Sequence, residues 1–464
     1  MKKIFMILSL FTIIAVVAGC GKSDAEAKSI YVATDGNDQA KGTEDAPYKT
    51  LKKASSVAKA GTIVYIRKGT YDEKLIVKNS GTKKEPVIFK AYNSEKVILS
   101  GKKMKDTNQE RAMVSMHNKS NVIIEGLTVQ DMRTKHNDAT IMGFYISGKG
   151  ENILLKNNHV RNIKTLAKEG NAHGIAFYGS EPMKNIRVIG NTLENMKLGA
   201  SETLVLNGDI SQFKIIGNNI RNSDNIGIDL IGFEGVAKNR KNDYVRDGIV
   251  NDNKVTKVSA YGNPAYGKNY GAGGIYIDGG KNIIVEDNHI SYSDIGIEAT
   301  SEHKGKYADR ITIRNNVVEK NYFTGISIGG YDVKRGGTRN SEVSKNVLYR
   351  NDTKKLGGGQ LLLQHDVEHN KVEKNVMTAS SSGIMVANYF KSNVLNNFSK
   401  NIFHKELGKK PTWVWKKREY SSFEVFKKVS KSDADTKFID PHYRDEKSGD
   451  YRLQKGSKAY LITK

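Results

Sequence analysis

The sequence predicts an all-β, single-domain parallel solenoid, and two alternating strand types with polar corners between them carry that prediction. The first type, apolar-x-x-Asn-x-apolar, recurs as LLKNNHV, RVIGNTL, KIIGNNI, GIVNDNKV, IIVEDNHI, TIRNNVV, EVSKNVL and KVEKNVM. Its asparagines, Asn158, Asn191, Asn218, Asn253, Asn288, Asn316, Asn346 and Asn375, fall 27 to 35 residues apart. The second type lies between them: GFYISG, GIAFYGS, TLVLNGD, GIDLIGF, GIYIDGG, GIEATSE, GISIGGY, QLLLQHD and GIMVANY. Two strands per interval, each too short to bury a face alone, mean that successive coils stack and share one core. Propeller blades, with four strands each, need a longer unit. Asparagine suits the corners because it tolerates left-handed backbone, and stacked amides hydrogen-bond along the pile, so the ladder is read as structural.

Before the repeat, residues 30–100 open with a strand, Gly/Asn/Asp turns, a helical stretch from Leu51 to Lys59 and the β-rich TIVYIRKGTY. They read as an N-terminal cap with the first coils. The β-helix proper is expected over 101–402. From about Phe403 the repeat is lost and both tryptophans appear, so 403–464 reads as an irregular C-terminal cap.

Composition bounds the rest. A 464-residue chain that is 38% hydrophobic can bury a large core, and a single cysteine excludes both a disulfide framework and a metal site with two thiolates. The formal charge of +24 favours a polyanionic partner. Compartment narrows the choice. Lys2 and Lys3 precede the apolar run IFMILSLFTIIAVVAG, a secretory signal too short for a full span. Val17-Ala18-Gly19-Cys20 resembles a bacterial lipoprotein signal. That resemblance implies a signal peptide over 1–19, lipidation of Cys20, a tether over 20–29 and an extracytoplasmic domain at the membrane, with no nucleic acid partner.

The cap and coils resemble right-handed parallel β-helix, pectin-lyase-like carbohydrate-active proteins. The cap in particular resembles family 9 polysaccharide lyases and β-helix glycoside hydrolases. This implies a right-handed solenoid acting on a polysaccharide, and the charge points to an anionic one.

In a strand whose alternate residues face the core, the residues between them face outward. Two outward ladders follow. The first is Tyr145, Ala176, Val205, Asp229, Tyr276, Glu298, Ser327, Leu362, Met385; the second is Ser147, Tyr178, Asn207, Ile231, Asp278, Thr300, Gly329, Gln364, Ala387. Acids occur only in the middle coils, at Asp229, Asp278 and Glu298, with Glu302 and His303 just beyond a strand end. Asp278 and Glu298 sit one coil and two positions apart, so their Cα atoms should lie about 8 Å apart at a ~3.3 Å rise and ~4.8 Å strand spacing. Carboxyls leaning together would reach the ~5 to 5.5 Å of a retaining glycosidase, and leaning apart the ~6.5 to 9.5 Å of an inverting one. Asp278 also precedes Gly-Gly, where an aspartate caps backbone, whereas Glu298 between Ile297 and Ala299 has no turn duty.

The longest insertions flank these acids. FEGVAKNRKNDYVRD brings Arg246 as a candidate partner for anions, and VSAYGNPAYGKNYGAGG brings Tyr261, Tyr266 and Tyr270 as candidate sugar platforms. Asp229, Tyr276, Glu302 and His303 complete the expected binding set, and His173 reads as a loop histidine outside it. GIYIDGG followed by NIIVEDNHISYSDIGIEATSEH resembles the active-site strands of β-xylosidase-type β-helix hydrolases. Carried over, the resemblance makes Asp278 the nucleophile and Glu298 the acid/base, although Gly279 stands where that pattern has an aromatic residue. No metal or cofactor is expected for a hydrolase. Calcium belongs only to the lyase alternative, for which SDNIGIDLIG offers Asp224 and Asp229 but the outward ladders offer no lysine base. A glycan-binding surface protein without catalysis is the third reading, and it predicts scattered rather than clustered acids.

Overall fold

The computed structural model describes residues 28–405 and 410–464. The signal run and Cys20 lie outside these. Strand after strand pairs in parallel with its equivalents one coil away, in a 27-stranded sheet holding two rows of strands and a 13-stranded sheet holding the third. The third row runs from Gly69–Tyr71 to Lys437–Phe438, so coil pairing continues past residue 402. Among the described residues no helix is long and apolar enough to cross a membrane.

Alternation along each strand makes this stack. Phe177, Leu206, Leu230, Ile277, Ala299, Ile328 and Leu363 occupy one inward position in register, and all are buried. Each large aliphatic removed from water contributes about 1.5 to 3 kcal/mol. Solvent reaches the ends of such a pile, and caps cover them. At one end helix Leu51–Val57 starts on Thr50, whose hydroxyl accepts from the Lys53 amide, and it buries Leu51 and Ala54. At the other, Trp413 stacks on Phe426 of helix Phe423–Ser430 with centroids 5.5 Å apart.

The asparagine ladder is a continuous hydrogen-bonded column. The side-chain oxygen of each member accepts both the backbone N–H and the side-chain amide of the member one coil earlier, at 2.9 to 3.1 Å, from Asn158 through Asn375 and on to Asn401. The corner conformation corrects the expectation. The left-handed residue is the one before each ladder asparagine, such as Asn157, Gly190, Gly217, Asp252 and Asp287. The ladder member itself turns its amide inward.

The outward ladders run in the expected register through Leu362. The last coil is shifted by two: Leu362 pairs with Ala387, so Ala387 belongs to the first ladder and Met385 packs in the core. A bulge between Ile384 and Val386 accompanies the shift.

Candidate functional site

Glu298 is central to strand Ile295–Thr300, flanked in register by Tyr276 on the preceding coil and Ser327 on the following one. Ile297 and Ala299 fix it outward by entering the core. Outward does not mean solvated, and this corrects the expected exposure of the ladders: Asp229, Tyr276, Asp278 and Glu298 are all buried. Over Tyr276 and Glu298 the covering comes from the loop between Val258 and Gly273 and from the turn carrying Tyr331. Together they leave a cavity of about 250 Å³ lined by Tyr266, Tyr270, Tyr276, Glu298, Glu302 and Tyr331, among others.

Glu298 leans toward the following coils. Its Oε1 accepts from Gln364 Nε2 at 3.1 Å and from Ser327 Oγ at 3.4 Å, and the Gln364 amide is itself tied to Ser327 at 2.8 Å. Burial, with the Glu302 charge adding to it, pushes the Glu298 carboxyl up to about 8 against the pull of these donors. Both effects bias Glu298 toward its protonated form. Glu302, at the strand end, accepts from the Tyr276 hydroxyl at 3.2 Å and the Tyr331 hydroxyl at 3.3 Å, and Arg335 pairs with it at 3.8 Å.

Asp278 does not line the cavity. Its Oδ1 accepts the Glu302 backbone N–H at 2.7 Å, so it caps the turn of the next coil and thereby holds Glu302. Burial, then the charges of Glu302, Glu234 and Glu298, push its carboxyl well above the usual range. Asp229 pairs in register with Tyr276 and carries a buried Oδ1 with no hydrogen-bond partner. Burial and the neighbouring Glu202, Asp278 and Glu234 raise it strongly too.

Of the three loop tyrosines, Tyr266 and Tyr270 line the cavity, while Tyr261 stacks on Tyr270 from outside with centroids 4.7 Å apart. Asp294 clamps both ends of their loop by accepting the amides of Ala260 and Ala272 at 2.7 and 3.0 Å. His303 shares the Glu302 turn, but it is not on the cavity wall and its Nε2 is buried without a partner. Arg246 is a correction. Its guanidinium pairs with Asp209 at 2.7 Å and bonds the Tyr244 carbonyl, committed to the scaffold rather than to a ligand.

A family model described as a Pel9A-like right-handed β-helix region matches residues 30–262, and a second, right-handed β-helix region, matches 273–408. The chain belongs to the Pel9A-like right-handed β-helix family. It is 50% identical over 430 residues to the uncharacterized protein YwoF of Bacillus subtilis (strain 168), covering 93% of this chain and 92% of that one. Over 83 residues it is 40% identical to the pectate lyase PEL9 of Emericella nidulans, which is 18% of this chain and 20% of the lyase. The fold is shared with the GH136 lacto-N-biosidase of Eubacterium ramulus at a TM-score of 0.53 and 14% identity, covering 82% of this chain and 64% of that one. The pectin-lyase-like solenoid is thus established.

In this Pel9A-like protein, sequence reasoning missed the groups that orient the acids. Gln364 and Ser327 stood on the ladders without a role, and Tyr331 and Arg335 lay in GGYDVKRGGT, whose position at the Glu302 corner was the available signal. His173 is a buried strand residue rather than a loop one. It lies 3.4 Å from Glu202, and burial depresses it to about 4.

Proposed function

We propose that the chain is an extracytoplasmic, lipid-anchored enzyme that cleaves glycosidic bonds in an anionic polysaccharide, with Glu298 as general acid. The observation that carries this is a buried Glu298, its carboxyl raised by burial, opening with the arginine-paired Glu302 onto a tyrosine-walled cavity. Glycoside hydrolysis requires one carboxylic acid to protonate the leaving oxygen and one carboxylate to activate water or stabilise the cation that develops. Glu298 takes the first role and Glu302 the second. Asp278, the expected nucleophile, becomes the positioning group that fixes Glu302. Tyr266 and Tyr270 offer ring faces and edges to the sugar. The anchor rests on the Val-Ala-Gly-Cys20 signal, and fatty-acid labelling lost in Cys20→Ser tests it.

The test of the activity is product analysis on a panel of neutral and acidic polysaccharides. New reducing ends without ultraviolet-absorbing unsaturated products are expected, and Glu298→Gln should lower turnover at least ~10²-fold with unchanged circular dichroism. Full activity in Glu298→Gln would sink the assignment. The stretch similar to a pectate lyase favours β-elimination as the second reading, and unsaturated uronate products would establish it.

A further inference from the structure

One backbone position recurs in left-handed conformation at the same corner of five successive coils: Asn282, Arg310, Asn340, His369 and Leu395. Four are polar, as the left-handed region and solvent both favour. The fifth is a leucine, the one aliphatic side chain among the left-handed residues described, and at 70% exposure it is the most exposed large apolar residue described. Val394 beside it is 44% exposed and Val429 on the C-terminal helix 37%. They border an open cleft of about 700 Å³ whose rim carries Lys391, Lys416, Arg418 and Lys431, none paired with a carboxylate among the described residues.

Exposed aliphatic side chains ringed by unpaired cations match one kind of surface. A sugar would seek flat aromatic faces, but in this cleft Trp415 is buried and Tyr420 half-buried against the core, and the exposed apolar groups are branched chains. Acyl chains accept such groups, and anionic headgroups accept the lysines and arginine. We propose that this end of the solenoid docks on an anionic membrane surface, with Val394 and Leu395 entering the headgroup boundary. The proposal rests on the extracytoplasmic reading above and deepens it by naming the surface that the C-terminal coils would meet. The turn lies at the corner that carries Glu302, three coils along. Docking therefore places Glu302 about 14 Å along the axis from the membrane contact, at ~4.8 Å per coil, with the Gln364 wall of the cavity nearer.

The experiment uses the chain from residue 21 onward, which has no lipid chain and contains every described coil. Sedimentation is measured with vesicles of phosphatidylcholine alone or with a third of phosphatidylglycerol. Binding is expected to the anionic vesicles only and to weaken as salt rises. Leu395→Asp and, separately, Arg418→Glu should each weaken it at least about tenfold, the effect of losing one buried leucine or one headgroup contact. Leu461→Asp, equally exposed but elsewhere, should bind as the parent does. No binding to anionic vesicles, or undiminished binding by Leu395→Asp, overturns the proposal. So does polygalacturonate capture that Arg418→Glu abolishes and Leu395→Asp leaves intact, which would make the rim a glycan site. Failure of the anchor reading is seen separately, as absent fatty-acid labelling at Cys20.

Discussion

A carboxyl held at about 8 couples the chemistry of Glu298 to the stability of the whole chain. In the unfolded chain the group ionises near 4.5, so between pH 4.5 and 8 the native state retains a proton that the unfolded state has lost. Stability from this group is complete below pH 4.5, declines through that window, and is gone above about 8. The full span is worth at most ~5 kcal/mol at 1.36 kcal/mol per pH unit. Glu202, raised to about 8 by burial and by Glu234, adds a second contribution of the same sign. Thermal melting of the parent should therefore fall as pH rises from 5 to 8. Glu298→Gln, which keeps a polar group against Ser327 and Gln364 but cannot titrate, should show a shallower decline and a higher melting temperature at pH 8. Parallel curves for the two proteins would mean that Glu298 ionises normally. The same burial that would suit Glu298 to the proposed acid role thus costs stability at neutral pH.

At the scale of the element, the asparagine column converts one residue choice into a hydrogen-bonded corner repeated along the axis. Asn253→Ala would leave the buried Asn218 backbone N–H without its acceptor and take a donor from the buried Ile215 carbonyl, while the Asn218 side-chain amide keeps the Val188 and Ile216 carbonyls. Each unsatisfied buried group costs about 1 to 3 kcal/mol, so a loss of about 3 to 5 kcal/mol is expected in urea unfolding. Asn222→Gly removes a side-chain bond of the exposed outer ladder to Asn195 at a left-handed position that glycine accepts, and should cost under about 1 kcal/mol. Equal effects would show that the inner column has no special weight. This column and the strand alternation were legible in the sequence because each is written many times. Burial of the outward acids was not legible, since it depends on where the 259–272 loop folds, and only Asp294 and the loop's own contacts determine that. The slip at Met385 escaped for another reason: a bulge between Ile384 and Val386 turns Met385 into the core and leaves Ala387 on the outward ladder, and strict alternation along GIMVANY gives no sign of a bulge. The role of Asp278 was half legible, for Asp-Gly-Gly signalled a cap, yet the amide it caps belongs to the next coil.

For the whole molecule, stacking means that each coil is stabilised mainly by its neighbours, and the terminal coils depend on what covers them. Trp413 is the keystone of the C-terminal end: fully buried, stacked on Phe426 and edge-on to Phe403 and Phe438. Trp413→Ala should cost about 3 to 5 kcal/mol locally. If coupling runs coil to coil, native-state hydrogen exchange will show protection lost first in Thr412–Trp415, then in Ile384–Asn388 and Leu361–Leu363, with the strands before Asn171 unchanged. Gln364, which bonds Glu298 and lines the cavity, directly follows Leu361–Leu363, so Glu298 activity should survive fraying of Thr412–Trp415 and Ile384–Asn388 and fail when Leu361–Leu363 opens, below the main unfolding transition. The turn at Leu395 proposed to dock on vesicles would be lost with the frayed coils, and on that proposal membrane binding should drop before the proposed activity does. Uniform loss of protection along the chain would instead make the solenoid one cooperative unit, in which the caps protect every coil equally.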